Sequence, residues 1–132
     1  MDVFSSEKRS QVMAKIRSKD TAPEMVLRKR LFAEGFRFRL HDDRLPGKPD
    51  IVLPKYRAVI QVRGCFWHGH TCHDGHLPKS NQDYWVGKLA RNRARDADVE
   101  AAIATLGWRV FVVWECEARA PIAGLMHALR HP

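Results

Sequence analysis

Two cysteines and two histidines lie within residues 65–72, the densest concentration of metal-binding side chains in the chain. Thiolate and imidazole are the ligands that zinc prefers. Asp50, upstream of this stretch, offers a carboxylate, which is the type of ligand that magnesium prefers. The sequence therefore predicts two metals with separate roles, one that holds a loop in shape and one that acts on an anionic substrate.

The zinc prediction rests on the spacing of four residues. Cys65, His70 and Cys72 form the pattern C-x4-H-x-C, and Cys116 lies 44 positions after Cys72 at the end of the last predicted strand. A parallel crossover brings the ends of neighbouring strands together, so these residues can form a closed Cys3His site of the structural type. Two alternatives stay open: the cysteines are simply buried, or another histidine of the loop replaces His70. The other loop histidines are His68, His73 and His76.

The magnesium prediction rests on two predicted strands. Asp50 begins one of them, and the polar, apolar and basic residues Gln61-Val62-Arg63 end the next. Metal-dependent nucleases have this skeleton, in which a carboxylate and a strand-end backbone carbonyl bind Mg²⁺. Such an ion withdraws charge from the scissile phosphate and can lower the pKa of bound water. The Pro-Asp dipeptide alone is a weak signal, because proline and aspartate also mark many turns.

Three further residues are candidates for roles in catalysis. His68 is either the proton acceptor for the attacking water, since an imidazole titrates near neutral pH, or an ordinary loop histidine. Glu24 either positions His68 or a water, or forms a capping box with Thr21. Arg63 either stabilises charge on the phosphate or is a surface arginine.

The overall charge favours a polyanionic partner. The 132 residues include 23 Lys and Arg against 15 Asp and Glu, which gives a formal charge of +8. This balance predicts binding to nucleic acid, and the alternative is a basic protein with a solvated surface. The length predicts a single domain spanning residues 1–132. Because the chain has neither a membrane-length apolar run nor a signal-peptide core, we expect a cytoplasmic protein without membrane association. We also expect it to be a monomer.

Several residues are candidates for contacts with DNA. Phe66 and Trp67 are adjacent loop aromatics that either insert between base pairs or cover the edge of the sheet. Trp85 begins a long predicted helix, on which Asn92 and four basic residues are candidates for phosphate contacts. The basic residues are Lys88, Arg91, Arg93 and Arg95, which do not all share one face. Residues 1–20 are either a basic arm that orders on DNA or a short surface helix. Its candidate contacts are Met13, Lys15 and Arg17.

The elements that must position these residues are predicted in the order α, α, β, β, β, α, β, α. The second helix begins at Thr21 and ends near Gly35. The predicted strands are residues 36–40, 50–53, 58–63 and 108–114, and the later helices are residues 80–106 and 122–129. A long helix between two strands implies a parallel crossover, and the apolar run 108–114 predicts a central strand covered on both faces. The predicted class is a mixed α/β sheet with helices on both faces.

Taken together, these residues resemble the very-short-patch repair (Vsr) endonuclease family over nearly the whole chain. The strongest matches are Arg17-Ser18-Lys19-Asp20-Thr21, Leu45-Pro46-Gly47-Lys48-Pro49-Asp50, Gly64-Cys65-Phe66-Trp67-His68-Gly69-His70-Thr71-Cys72, Gly107-Trp108-Arg109-Val110 and Trp114-Glu115-Cys116. The resemblance implies a restriction-endonuclease-like fold of the PD-(D/E)xK type with a zinc-tethered loop. It implies strand-specific nicking of duplex DNA at a thymine mispaired with guanine, the first step of very short patch mismatch repair.

The resemblance also implies roles for individual residues. Mg²⁺ is expected on Asp50 and the main chain of Val62, with His68 acting on water and Glu24 nearby. The implied zinc ligands are Cys65, His70, Cys72 and Cys116. The residues implied to wedge the double helix open beside the mismatch are Phe66, Trp67 and Trp85. The N-terminal segment, residues 1–20, is expected to clamp the DNA, and other mismatch-repair proteins are candidate partners.

One position departs from the family pattern. Better-known members carry a catalytic histidine directly before Gly-Cys-Phe-Trp-His, where this chain has Arg63. Gln61-Val62-Arg63 instead approaches the Glu-x-Lys half of the broader nuclease superfamily. Arg63 either binds phosphate in place of the histidine or indicates weaker activity, altered metal use or a changed substrate. Two other functions stay open: a nuclease of this fold with a different sequence or lesion preference, and a zinc-stabilised DNA-binding module without catalysis.

Overall fold

The computed structural model describes residues 20–65 and 80–131. The helices are α1 (Ala22–Ala33), α2 (Gln82–Thr105) and α3 (Ala123–Arg130), and the strands are β1 (Arg39–Leu40), β2 (Ile51–Leu53), β3 (Ala58–Arg63) and β4 (Arg109–Trp114). Short 3-10 turns, Pro54–Tyr56 and Glu115–Glu117, follow β2 and β4. Within these ranges, no helix has both the length and the apolar character needed to cross a membrane.

Eight residues with predicted roles lie outside the described ranges. They are Met13, Lys15, Arg17, Phe66, Trp67, His68, His70 and Cys72. Their roles stay predictions, as does the clamping role of the N-terminal segment. The remaining predicted site residues are all within the described parts of the chain.

The strands form one mixed sheet in the order β1-β2-β3-β4. The pairs β1–β2 and β2–β3 are antiparallel, whereas β3 and β4 are parallel. A parallel pair needs a crossover connection, and α2 lies within the connection from β3 to β4. The parallel crossover predicted from the long helix between strands is therefore confirmed.

Helices cover both faces of the sheet because successive strand residues point to opposite sides. Ile51, Leu53 and Ile60 pack in one core cluster with residues of α1 and α3. Val52, which lies between the first two in the chain, packs instead in a second cluster with Ile103 of α2. All three residues of β2 are fully buried for this reason. The predicted mixed α/β sheet flanked by helices is confirmed.

The two longer helices begin in different ways. Thr21 has extended backbone angles and its hydroxyl accepts a hydrogen bond from the backbone N–H of Glu24 at 3.5 Å, which confirms the predicted start of α1. Gly35 follows the end of α1 with a φ of +93°. Asn81 precedes α2 in the left-handed region, and its side chain makes no capping bond. The helix begins at Gln82, within the range 80–106 predicted from the sequence.

Two strand predictions need correction. Residues 36–40 were expected to form a strand, but only Arg39 and Leu40 are in a strand and both are exposed. β4 was expected to be central, yet within the described sheet it is an edge strand paired with β3. Its apolar residues still contact both helical layers, since Val110 packs with α2 on one face and Val113 packs in the cluster with α1 and α3 on the other. An apolar run requires covered faces, which an edge strand between two helical layers also provides.

The loop before β2 is fitted closely against α2. Gly47 has a φ of +73°, and a Cβ atom added there would lie 2.5 Å from Cγ1 of Val99. This distance is too short for two carbon atoms, so only glycine allows the loop to approach the helix in this way. The fit matters for the site, because Asp50 lies three residues further along the same loop.

We predict that Gly47→Ala lowers the free energy of unfolding by about 2 to 4 kcal/mol, because it adds both a strained φ and an overpacked contact. Gly35→Ala is the matched control, since Gly35 also has a positive φ but no atom within 4 Å of the added Cβ. Its loss should be about 1 kcal/mol, from backbone strain alone. Urea denaturation measures both values, and equal losses would contradict the close approach.

Candidate active site at Asp50

Asp50 directly precedes β2, and its carboxylate reaches across to β3. Its Oδ2 atom accepts a hydrogen bond from the backbone N–H of Val62 at 2.7 Å. The antiparallel register pairs Ile51 with Ile60, which places Asp50 beside the last residues of β3. The structure thus brings together the carboxylate and the strand-end main chain that were expected to share a magnesium ion.

The Asp50 carboxyl group lies in a poorly solvated position. Burial raises the pKa of Asp50 from 3.8 to about 6. The N–H of Val62 opposes this rise, the carboxylate of Glu24 adds to it, and His41 and Arg28 oppose it. A carboxylate whose negative charge is disfavoured by burial gains from a nearby cation, because the cation stabilises the ionised form.

Glu24 belongs to a compact polar cluster beside Asp50. It is 2% exposed on α1, and Oε2 of its carboxylate accepts hydrogen bonds from Nη2 of Arg28 at 2.9 Å and from the backbone N–H of Asp20 at 3.0 Å. The Glu24 side chain thus reaches Asp20, one residue beyond the N-cap Thr21, whose N–H it would accept in a full capping box. Glu24 therefore serves at the start of α1 and also lies in the neighbourhood of Asp50.

The Arg28 guanidinium fills the centre of this cluster. Its Nη2 atom lies 2.8 Å from Oδ1 of Asp20, 2.9 Å from Oε2 of Glu24 and 3.0 Å from Nε2 of His41. The ligand atoms of those three residues all lie within 4.8 Å of one another, a spacing that suits a metal ion. In this arrangement the cation among them is a guanidinium, which also lowers the pKa of Asp20 through its hydrogen bond.

His41 connects the cluster to Asp50. Its Nε2 atom lies 3.5 Å from a carboxylate oxygen of both Asp20 and Glu24. Its Nδ1 atom, on the other side of the ring, lies 3.7 Å from Oδ1 of Asp50. The backbone N–H of His41 also donates to the carbonyl of Asp50 at 3.3 Å, which fixes the loop that carries the imidazole.

Sequence reasoning missed Asp20, Arg28 and His41 as members of the site. The sequence contains a signal for Arg28, because Glu24 and Arg28 have the i,i+4 spacing of an ion pair on one helix. Asp20 lies within one of the family motifs but was given no role. His41 has no such signal, since it meets Asp50 only through the pairing of β1 with β2.

Arg63 lies on the α2 side of the sheet. Its Nη2 atom is 2.6 Å from Oε1 of Glu100, and its Nε atom is 3.8 Å from Oδ2 of Asp96. Its guanidinium also lies 6.0 Å from the ring centre of Trp114. Both acidic partners belong to α2, so these contacts join the end of β3 to the long helix and favour a structural role for Arg63 in this state.

Two of the four predicted zinc ligands are within the described residues. The register of the parallel strands pairs Arg63 with Trp114, and Cys65 and Cys116 each follow that pair by two positions. The backbone N–H of Cys65 donates to Oε1 of Glu115 at 2.9 Å, which holds the two strand ends together. Cys65 is buried and Cys116 is exposed. The structure therefore brings both cysteines to the same end of the β3–β4 pair.

The long helix α2 has an inner stripe and a basic flank. The inner stripe recurs every three or four residues and consists of Trp85, Leu89, Asn92, Asp96, Val99 and Ile103. Trp85 is only 8% exposed, so its ring is packed within the protein in this state. Lys88, Arg91 and Arg95 follow one another at helical spacing along one flank of this stripe, whereas Arg93 lies on the other flank.

Comparison with known proteins identifies relatives along most of the chain. Residues 1–74 match the family described as DNA mismatch endonuclease Vsr. The type II nicking enzyme V.XorIIP of Xanthomonas oryzae is 56% identical over 116 residues, which cover 88% of this chain and 85% of that protein. V.NmeAIP, a type II nicking enzyme of Neisseria meningitidis, is 52% identical over 118 residues, with 89% and 84% covered.

A third relative is the DNA mismatch endonuclease Vsr of Escherichia coli. It is 42% identical over 118 residues, which cover 89% of this chain and 76% of that protein. The family match spans more than half of this chain, and the mixed sheet with its flanking helices is consistent with a nuclease of this family. The resemblance seen in the sequence motifs is thereby confirmed: the chain belongs to the Vsr family of DNA mismatch endonucleases and is a DNA endonuclease.

Proposed function

We propose that this endonuclease nicks one strand of duplex DNA at T:G mismatches in a Mg²⁺-dependent reaction that initiates very short patch repair. The observation that carries the proposal is the contact between the Asp50 carboxylate and the main chain at Val62. It joins the two groups that the family resemblance assigns to the metal. Glu24, the third residue assigned to this neighbourhood, lies near enough to raise the pKa of Asp50.

The residues around Asp50 fit a divalent ion. The carboxylate is a hard oxygen ligand, and burial disfavours its negative charge unless a cation is close. Asp50 and the main chain of Val62 would hold the ion. When bound, Mg²⁺ supplies positive charge that stabilises the scissile phosphate as the bond breaks.

The chain's own residues supply the remaining steps. His68 accepts the proton of the attacking water, and Glu24 orients the groups around it. Lys88, Arg91 and Arg95 hold the phosphate backbone along the flank of α2, because phosphate contacts fix the position of a protein on DNA. Arg63 has a structural role, because its ion pairs with α2 stabilise the end of β3. Other cationic residues bind the phosphate.

A structural zinc ion is proposed at the end of the β3–β4 pair. Its ligands are Cys65, His70, Cys72 and Cys116, and the parallel register that aligns Cys65 with Cys116 supports this set. Zinc bound by three thiolates and one imidazole has no open position, so it acts as a crosslink. The crosslink would fix the loop that carries Phe66, Trp67 and His68 beside Asp50.

DNA recognition is assigned to the loop aromatics and the N-terminal segment. We propose that Phe66 and Trp67 form the wedge beside the mismatch and that residues 1–20 clamp the duplex. Burial of Trp85 favours a packing role for its ring over insertion into the DNA. Asn92 is half-buried on the inner stripe of α2, so this position favours packing against the protein over the contact with DNA that the sequence predicts. We expect the single domain, residues 1–132, to act as a monomer, with other mismatch-repair proteins as further partners.

A second candidate is a nicking enzyme of the same fold that depends on a surrounding sequence. Two of the most similar relatives are named type II nicking enzymes, a name that specifies nicking and not a mismatch. The two candidates differ in substrate and share the metal site.

The first prediction concerns substrate and metal together. With Mg²⁺, the wild type should nick T:G duplexes at least about 100-fold faster than matched duplexes, while Asp50→Ala should bind the same DNA without cutting it. Gel assays on T:G, other mispaired and matched duplexes with varied flanking pairs measure this. Equal cleavage of matched DNA of one sequence would support the sequence-dependent candidate. A folded wild type that cuts no duplex would leave a DNA-binding module as the function.

The second prediction concerns the pH dependence of stability. Folding raises the pKa of Asp50 from 3.8 to about 6. The folded state therefore favours the protonated carboxyl group, and that stabilisation is complete below about pH 3.8 and lost as the pH rises through 6. Asp50→Asn removes the charge and should raise the free energy of unfolding by about 2 to 3 kcal/mol at pH 8 without Mg²⁺, with little difference near pH 4.

Denaturant unfolding at several pH values tests this prediction, with Asp98→Asn on the exposed face of α2 as the control. Added Mg²⁺ should stabilise the wild type and leave Asp50→Asn unchanged, because ligand binding to the folded state shifts stability by mass action. A variant less stable than the wild type at pH 8 without Mg²⁺ would show that the ionised carboxylate is favoured in the free protein.

The third prediction concerns zinc. The wild type should contain one zinc ion per chain by metal analysis, and Cys116→Ser should lose it with a stability loss of several kcal/mol, because binding energy of a structural zinc contributes to folding. Ser80→Ala, at the end of the same loop, is the control and should keep its zinc. Full folding and cleavage by a zinc-free wild type would exclude the proposed crosslink.

A further inference from the structure

A side chain continues the link between β3 and β4 beyond the point where strand pairing ends. The parallel register ends with the pair Arg63 and Trp114. Two residues after Arg63, the backbone N–H of Cys65 donates a hydrogen bond to Oε1 of Glu115 at 2.9 Å. Glu115 directly follows Trp114, so its carboxylate takes over from the backbone pairing of the two strands.

This hydrogen bond satisfies a buried donor at a permissive point of the backbone. Cys65 is 0% exposed, and a buried backbone N–H needs a partner within the protein because water does not reach it. Gly64 precedes it, and a glycine backbone has the widest choice of conformations. Local torsional preferences therefore do not determine the direction of the chain after β3, and the Glu115 carboxylate supplies a fixed point for it.

A second carboxylate holds the same strand end from the other side. Asp50, directly before β2, accepts the N–H of Val62 at 2.7 Å, and β2 and β4 lie on opposite sides of β3. The two N–H groups, of Val62 and Cys65, are three residues apart along the chain. The Asp50 contact belongs to the candidate active site, whereas the Glu115 contact lies beside the two cysteines.

Glu115 connects the two backbones that carry the cysteine thiols. It is adjacent to Cys116 in the chain, and its side chain is hydrogen-bonded to the backbone of Cys65. Zinc requires its ligands at tetrahedral positions, with each sulfur about 2.3 Å from the ion. A contact that sets the separation of two ligand-bearing backbones before the ion arrives lowers the cost of ordering them.

We propose that Glu115 is a positioning residue for zinc, which presents Cys65 to the same ion as Cys116. This role rests on the proposed zinc site, whereas the contact between Glu115 and the Cys65 N–H does not. The role requires an oxygen acceptor at the end of the side chain and does not require its negative charge. Neighbours that orient the ligands of a metal site commonly affect metal affinity by about 10- to 100-fold.

Zinc affinity of the full-length protein, measured by competition with a chromophoric chelator, tests this role. Glu115→Ala removes the acceptor and should weaken zinc binding by about 10- to 100-fold. Glu115→Gln keeps an amide oxygen that accepts a hydrogen bond and should remain within about 5-fold of the wild type. Glu117→Ala, at an exposed carboxylate on the other side of Cys116, is the control and should bind zinc as the wild type does.

Two results of the zinc measurement contradict the role. An affinity in Glu115→Ala equal to that of the wild type shows that the contact does not position Cys65 for the ion. A loss in Glu115→Gln as large as in Glu115→Ala shows that the charge matters and the acceptor does not.

Amide hydrogen exchange, followed by NMR on the zinc-loaded protein, tests the contact itself. The Cys65 N–H should exchange slowly in the wild type and in Glu115→Gln, and at least about 10-fold faster in Glu115→Ala. The Val62 N–H, which donates to Asp50, is the internal reference and should change little. Exchange of Cys65 at the rate of an unprotected amide in the wild type overturns the proposal without any variant. An acceleration that Val62 shares equally marks general destabilisation and overturns the positioning role.

The outcomes separate this role from the proposed function. A wild type that holds no zinc contradicts the proposed zinc site, and the role of Glu115 fails with it even if the Cys65 amide is protected. A zinc-loaded wild type with no loss in Glu115→Ala contradicts the positioning role alone. Neither measurement depends on cleavage, so a protein that cuts no duplex still tests the role of Glu115.

Discussion

The hydrogen bond from the backbone of Val62 to the carboxylate of Asp50 joins the two strands on which the site depends. Its existence follows from the register that pairs Ile51 with Ile60. A shift of one residue would exchange the faces of β2 and place Val52 where Ile51 packs, which both buried clusters oppose. The hydrophobic pattern of a short, fully buried strand thus fixes a polar contact at its end. The same burial raises the pKa of Asp50 and makes a cation favourable there.

The two helical layers contribute different residues to the site. From one face, α1 brings Glu24 and Arg28 to Asp50. From the other face, α2 pairs two of its acidic residues with Arg63 and carries a basic flank suited to phosphates. The connection that contains α2 also joins β3 to β4, and the parallel register of these strands brings Cys65 and Cys116 to the same end of the pair. The Asp50 carboxylate and the cysteine pair therefore lie beside different helical layers that contact the same strand, β3.

Much of this arrangement could be predicted from the sequence, because apolar spacing and caps depend on nearby residues. The bounds of β3, the start of α1 and the crossover by α2 were predicted in this way. The edge position of β4 could not be predicted, since a covered face looks the same in the sequence whether one or two strands flank it. The roles of Asp50 and Glu24 were suggested by motifs, whereas the contacts of His41 and Arg63 depend on which face of the sheet each residue meets. That choice is made by tertiary packing.

The formal charges around Asp50 constrain how many metal ions this cluster can accept. Asp20, Glu24 and Asp50 contribute three carboxylates, and Arg28 contributes one positive charge. The formal charges of these three carboxylates and Arg28 sum to minus two when all are ionised, which a single divalent ion neutralises. A second divalent ion would have to displace the guanidinium from three hydrogen-bonding partners, and removing one member of a buried ion pair typically costs about 3 to 5 kcal/mol. The geometry of Arg28 therefore favours one metal ion at Asp50, with a protein cation in the place where a second ion could otherwise bind.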